Sequence, residues 1–304
     1  MVKKFIKWIF KIIGVLIAII LIYGTVKQYN YDSKVEKEYQ ATGSFSDIGQ
    51  NQVHYKYIGE GELTFVLISG LGESMFTWSS IADELAARGR VFMYDRSGLG
   101  HSEVGIKPRS VDNCAIELST VLERENIKGP YVLVGHSAGG FIARYYAKKY
   151  PENILGLFLI DPYQGDVSKT DNAQPSLSYK MMNWTFRNMS WSGIPYYLLP
   201  KPPHPTYKTS KAIKTYGLEA NVENISLEQF AKFNNIGNEL PLYLLKSDNK
   251  KAKLNEIQNK WSKAVFDKYN NEKNKYYLIE SGHHIHIDKP EKVLNALDEF
   301  VSKL

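Results

Sequence analysis

The chain has 304 residues, 43% of them hydrophobic, with 38 Lys and Arg against 32 Asp and Glu for a formal net charge of +6. That balance is modest and no Lys/Arg-rich run is interleaved with aromatics, which argues against a nucleic-acid partner. Gly59-Glu60-Gly61 lacks the Lys-Ser/Thr of a phosphate loop, and the single cysteine, Cys114, excludes an internal disulfide.

The chain opens with Lys3, Lys4, Lys7 and Lys11, followed by an uncharged, mostly aliphatic run from Ile12 to Val26. Fifteen helical residues rise about 22 Å, short of the roughly 30 Å hydrocarbon core of a bilayer. Lys7 and Lys11 are long enough to snorkel, which extends the span toward Phe5. The pattern predicts a signal-anchor helix over residues 1–26 and a linker over 27–41. Two other readings stay open. One is a cleaved signal peptide, although no small-x-small site follows the apolar run. The other is an interfacial helix using the Lys3-Lys7-Lys11 stripe. In the spanning case the lysines stay cytoplasmic and the rest of the chain faces outward.

Residues 42–304 are enough for one α/β domain. Strands are predicted at Gly43–Ile48 and Val53–Ile58, then from Phe65 into Ser69-Gly70-Leu71-Gly72, and a helix at Ile81–Arg88. Val91-Phe92-Met93-Tyr94 reads as the next strand and runs into Asp95-Arg96-Ser97-Gly98-Leu99-Gly100-His101-Ser102. The helix after it, Val111–Glu125, holds Cys114 as a small buried apolar residue. This alternation of strands and helices predicts a mostly parallel sheet.

Tyr131-Val132-Leu133-Val134 is followed at once by Gly135-His136-Ser137-Ala138-Gly139, and a helix is predicted from Gly140 to Tyr150. Strand, G-x-S-x-G turn and helix together place a serine hydroxyl at the tip of a strained bend above a sheet. Gly135 and Gly139 are expected to supply backbone angles that a Cβ would resist. A serine is a weak nucleophile and needs a base, an orienting acid and donors for the oxyanion.

Leu157-Phe158-Leu159-Ile160 is the next strand and ends at Asp161, 24 residues after Ser137. From Pro162 to Glu239 the pattern breaks into aromatics, Met and Pro. Helices are predicted at 176–189, 208–218 and 226–236, because a structureless loop of that length is improbable. Pro241–Leu245 reads as a strand leading to the loop Lys246-Ser247-Asp248. Lys246, Lys250, Lys251 and Lys253 read as a solvated basic cluster. A last strand, Lys275–Ile279, runs into Gly282-His283-His284-Ile285-His286, and a final helix begins at Pro290. Three clustered histidines raise either a general base or a metal site, although H-H-x-H matches no strong ligand spacing.

In this order and spacing the chain resembles the α/β-hydrolase family from about Thr42 onward. Phe65 to Gly72 looks like its third strand and oxyanion loop, Asp95 to Ser102 like its D-R-x-G-x-G-x-S turn, and Gly135 to Gly139 like its nucleophile elbow. Gly282-His283 with Asp288-Lys289-Pro290 looks like its ending. The resemblance implies a mostly parallel sheet flanked by helices with a helical cap inserted over about 162–239. It implies Ser137 as nucleophile, His283 as base, and the N–H groups of Ala138 and Leu71 as oxyanion donors. His284 and His286 would line or support the site. The acid is Asp161, as in a variant of the family that draws it from the sixth strand, with Asp248 as the alternate. Ser69 stands where the family often has His.

Met181, Trp184 and His136 are expected to touch an apolar, lipid-like or other small acyl substrate, and no cofactor or metal is implied. The expected activity is hydrolysis of a carboxylic ester. A catalytically idle ligand-binding protein, an acyltransferase and a metal enzyme built on His283, His284 and His286 are the alternatives.

Overall fold

The structure, a computed structural model, describes residues 1–165, 176–199, 204–233, 239–249 and 255–304. Eight strands form one sheet: β1 (Ser44–Asp47), β2 (Gln52–Ile58), β3 (Thr64–Ile68), β4 (Arg90–Tyr94), β5 (Tyr131–His136), β6 (Ile154–Ile160), β7 (Leu242–Ser247) and β8 (Lys275–Ile279). Their order is β1-β2-β4-β3-β5-β6-β7-β8. β1 and β2 run antiparallel to their neighbours, and every later pairing is parallel. The predicted strands all form, each within a few residues of its expected bounds.

Helices cover both faces, so the central strands read as unbroken apolar runs. Successive side chains enter opposite cores. Val66, Ile68, Leu133 and Leu157 join one core with the helices Val111–Arg124 and Ala138–Lys149. Phe65, Leu67, Val134 and Phe158 join the other with Trp78 and the C-terminal helix Pro290–Val301. Cys114 is buried in the first core.

A helical cap lies between β6 and β7. The helix Leu177–Met189 matches its expected bounds closely. The others shift to Ser210–Asn221 and Glu223–Ala231, and the predicted residues 234–236 lie outside the described ones. A short helix, Ile194–Leu198, was not anticipated, and neither was Asn255–Phe266 after β7.

The N-terminal helix α1 runs unbroken from Val2 to Glu38. Residues 27–38, expected as a linker, are therefore helical: no proline or glycine follows Gly24 to stop them, and this half is docked on the cap. Gln28 donates to the carbonyl of Lys208 at 2.9 Å, and Tyr31 to that of Pro205 at 2.8 Å. Asp32 accepts from the Ser210 N–H at 3.0 Å, and Val35 is buried. Gly24 meets the cap at the closest point, where a Cβ would lie 2.1 Å from the Ser192 carbonyl oxygen. The apolar first half is exposed throughout, and it is long and apolar enough to cross a membrane.

Candidate active site

Five loops leave the carboxyl ends of β3, β5, β6, β7 and β8 on one side of the sheet, where ligands bind in open α/β folds. They carry Leu71, Ser137, Asp161, Asp248 and His283 respectively. The bend after β5 is tight. Ser137 takes φ 52° and ψ −120°, a left-handed conformation that costs a non-glycine residue about 1–3 kcal/mol. Its N–H donates to Ile160 and its carbonyl accepts from Tyr163 at 2.9 Å, so β6 holds the strained residue in place. The positive φ thus falls on the serine, not on Gly135 or Gly139 as expected. Those glycines serve close approach: a Cβ on Gly139 would sit 1.9 Å from the Ile68 carbonyl oxygen, and one on Gly135 2.6 Å from Gly140 Cα.

Asp161 also has a positive φ, 41°, at the end of β6. Its carboxylate is buried and crowded by donors. His283 Nδ1 lies 2.5 Å from Oδ2, Lys246 Nζ 2.5 Å from Oδ1, and the Ser247 hydroxyl donates to Oδ2 at 2.8 Å. Burial alone would raise the carboxyl pKa, but His283 and the Lys246 ammonium hold it well below the usual carboxylate range. Of the two acid candidates, the structure brings Asp161 to His283. Asp248 lies one residue past β7, with its N–H bonded to the Ile279 carbonyl. Lys246 is no part of a solvated cluster: it is the fifth residue of β7 and only 2% exposed, because its charge is matched by Asp161. Lys250, Lys251 and Lys253 lie outside the described residues.

The three C-terminal histidines all pack against the His136 ring, but each bonds a different partner. His283 turns to Asp161, His284 Nε2 lies 2.9 Å from Glu73 Oε1, and His286 Nε2 lies 2.8 Å from the Thr77 hydroxyl. Burial pushes the His286 pKa well down, so this ring is neutral.

Glu73, just after the loop that carries Leu71, is the residue that sequence reasoning missed. Its carboxylate accepts from the Gly70 N–H at 2.9 Å and lies 3.0 Å from His136 Nδ1; the other nitrogen of His136 is 3.1 Å from the His283 carbonyl. One buried carboxylate thereby ties the loops after β3, β5 and β8 together. Burial opposes its charge, yet His136 and His284 keep its pKa well below the ordinary value. Glu73, His136 and His284 are also the one group that presents potential metal ligands within 4.8 Å of each other among the described residues. The contacts just given engage these same atoms as hydrogen-bond partners. We expect Glu73→Gln, which keeps the size and loses the charge, to destabilise the chain by about 1.5–3 kcal/mol, the usual worth of a hydrogen bond to a charged group. Urea unfolding of the full chain measures it, and an unchanged midpoint would contradict the tie.

A cavity of about 180 Å³ opens above Ser137 and Ala138, walled by Leu71, Phe141, Ile142 and, from the cap, Tyr179 and Ala220. The N–H groups flanking Leu71 are taken, by Glu73 at Gly70 and by Glu219 at Gly72, whereas those of Leu71 and Ala138 have no partner among the described residues. The Arg96 guanidinium fixes this loop from beneath, donating to the carbonyls of Ser69 and Gly70 and to Glu219 of the cap.

The expected substrate contacts fall elsewhere. His136 is fully buried and spent on Glu73 and the His283 carbonyl. Met181 and Trp184 are 62% and 53% exposed and do not line the cavity, because the helix Leu177–Met189 turns Tyr179, Asn183 and Phe186 inward instead.

Residues 64–194 match the profile of the alpha/beta hydrolase fold family. The (lyso)-N-acylphosphatidylethanolamine lipase of Mus musculus is 34% identical over 112 residues, 36% of this chain and 33% of that protein. An uncharacterized Bacillus subtilis protein, YqjL, is 34% identical over 108 residues, 36% of this chain and 43% of that one. The chain thus spans less than half the length of these curated relatives. The crystal structure of the enol-lactonase from Burkholderia xenovorans LB400 superposes with a TM-score of 0.64 at 16% identity, covering 85% of this chain and all of that one. With its eight-stranded, mostly parallel sheet, its serine on a strand-to-helix bend and its helical cap, the chain has the α/β-hydrolase fold.

Proposed function

We propose that this chain is a serine hydrolase that cleaves a carboxylic ester or related acyl compound while held at a membrane by α1. The observation that carries the reading is the short His283–Asp161 contact beside a serine held in a left-handed bend. Ser137 Oγ attacks the acyl carbonyl, and His283 Nε2 takes its proton and then delivers it to the leaving alcohol. Asp161 fixes the His283 tautomer through Nδ1 and stabilises the ring while it is charged. The N–H groups of Leu71 and Ala138 donate to the developing oxyanion, a role worth about 10²–10³ in turnover per donor. Water, activated by His283, releases the acid and restores Ser137.

Apolar cavity walls favour an acyl or alcohol arm of low polarity. The lipase in the name of the mouse relative is in keeping with that.

The test is labelling of the full chain in detergent with a fluorophosphonate, since α1 packs on the cap and its removal would strip that contact. Wild type is expected to label. Ser137→Ala is expected not to label and to lose ester turnover by roughly 10⁴–10⁶-fold. Labelling without turnover of any ester would point to acyl transfer, and a folded wild type that stays unlabelled would sink the activated serine in favour of a ligand-binding role.

A further inference from the structure

The side chains that fail to reach the cavity form a surface of their own. Leu177, Met181 and Trp184 stand at i, i+4 and i+7 on the cap helix, 74%, 62% and 53% exposed. The stripe continues through Trp191, 50% exposed, whose indole N–H donates to the Asn188 carbonyl of the same helix. Tyr197 and Leu198, on the short helix after it, are 69% and 54% exposed. Tyr179, one helix face away from Met181, lines the cavity, so a single helix, roughly 10 Å across, separates the stripe from the cavity.

The position of α1 says what covers this stripe. The stretch from Phe5 to Tyr23 rises about 28 Å at 1.5 Å per residue, close to the roughly 30 Å hydrocarbon thickness. The next residue, Gly24, is the one pressed against Ser192 and Gly193, the neighbours of Trp191. Lys27, Gln28, Gly193, Tyr196 and Tyr197 share one surface recess with Gly24. The helix therefore leaves the bilayer where it meets the cap, and the docking contacts at Gln28, Tyr31 and Asp32 prevent the cap from swinging away. Trp and Tyr side chains at that level are the residues that settle at headgroup depth.

We propose that the outer face of the cap, Leu177, Met181, Trp184, Trp191 and Tyr197, lies on the same bilayer that α1 spans, with its apolar side chains at the headgroup–acyl boundary. The proposal rests on α1 being a membrane span. A substrate dissolved in the bilayer then reaches the cavity past one helix, without crossing bulk water.

Single cysteines carrying an environment-sensitive fluorophore test it in the full chain, with Cys114→Ala, reconstituted into liposomes whose lipids carry a quencher on the upper acyl chain. Probes replace Met181 and Trp191, with Leu16 in the apolar half of α1 as lipid reference. The solvent reference is Leu155, near the amino-terminal end of β6 and thus at the far end of the sheet from the cap. The expected result is a blue shift and loss of intensity at 181 and 191 comparable with 16, and neither at 155. A probe at 16 in lipid with 181 and 191 behaving like 155 overturns the docking and leaves the anchor standing. Water at all four overturns both. A blue shift at 181 and 191 without quenching means that protein, such as a second copy of this chain, covers the face, and it too overturns the proposal. None of these outcomes depends on the hydrolase reading. A second arm does: Met181→Asp with Trp191→Asp is expected to lower cleavage of a vesicle-borne ester several-fold and to leave a soluble short-chain ester unaffected.

Discussion

Asp161→Asn lowers turnover by roughly 10³–10⁴-fold, while Asp248→Asn changes it little; this is the outcome expected from the geometry around His283. The carboxylate accepts from His283, Lys246 and Ser247 at once. An amide has one acceptor oxygen, so its NH₂ must face either His283 and the Ser247 hydroxyl, selecting the wrong tautomer, or Lys246, leaving a buried ammonium without its counter-ion. Turnover of a soluble ester by the two variants, each checked for folding, decides the matter. Equal losses, or the larger loss at position 248, would remove Asp161 from the proposed triad. The same carboxylate has a signature in stability. Its pKa in the fold lies below the ordinary 3.8, so its contribution is complete above that value and is lost as pH falls through the lowered one. Acid unfolding below about pH 4 is therefore expected to be less steep in Asp161→Asn than in wild type.

Arg96→Met should cost about 3–5 kcal/mol, the usual consequence of leaving a buried carboxylate without its cation, or roughly 6–20 °C in melting temperature. Arg96 is 1% exposed and spreads its guanidinium over Glu219 and two carbonyls of the loop before Leu71. Arg96→Lys is not expected to rescue, because an ammonium cannot reproduce that fork. Arg96→Met combined with Glu219→Leu should recover much of the loss, since the burden is the orphaned charge and not the missing attraction. Thermal unfolding of the three variants separates these cases. A mild effect of Arg96→Met alone would mean that the cap and the loop are not coupled through this pair.

Much of the site is written locally in the sequence. A serine between two close-approach glycines, and a Gly-His after a strand, are short-range features, and the buried strands declare themselves because both faces of the sheet are covered. What escaped depends on partners far along the chain. Lys246 reads as solvated until Asp161, 85 residues earlier, is placed beside it. Glu73 has no local signal at all, because its partners His136 and His284 arrive from β5 and β8. The cap helix misled for a different reason. Leu177-Met181-Trp184 and Tyr179-Asn183-Phe186 are equally regular stripes, and periodicity alone does not say which of them turns inward.

The docking of α1 also fixes where this protein can be cut. A break just before Gly24 would shed the apolar segment and leave the contacts at Gly24, Gln28, Tyr31 and Asp32 in place. A break after Tyr39 would strip Gln28, Tyr31, Asp32 and Val35 from the cap at once. The leading helix thus has two parts, an exposed apolar segment and a buttress for the cap, and they meet at Gly24.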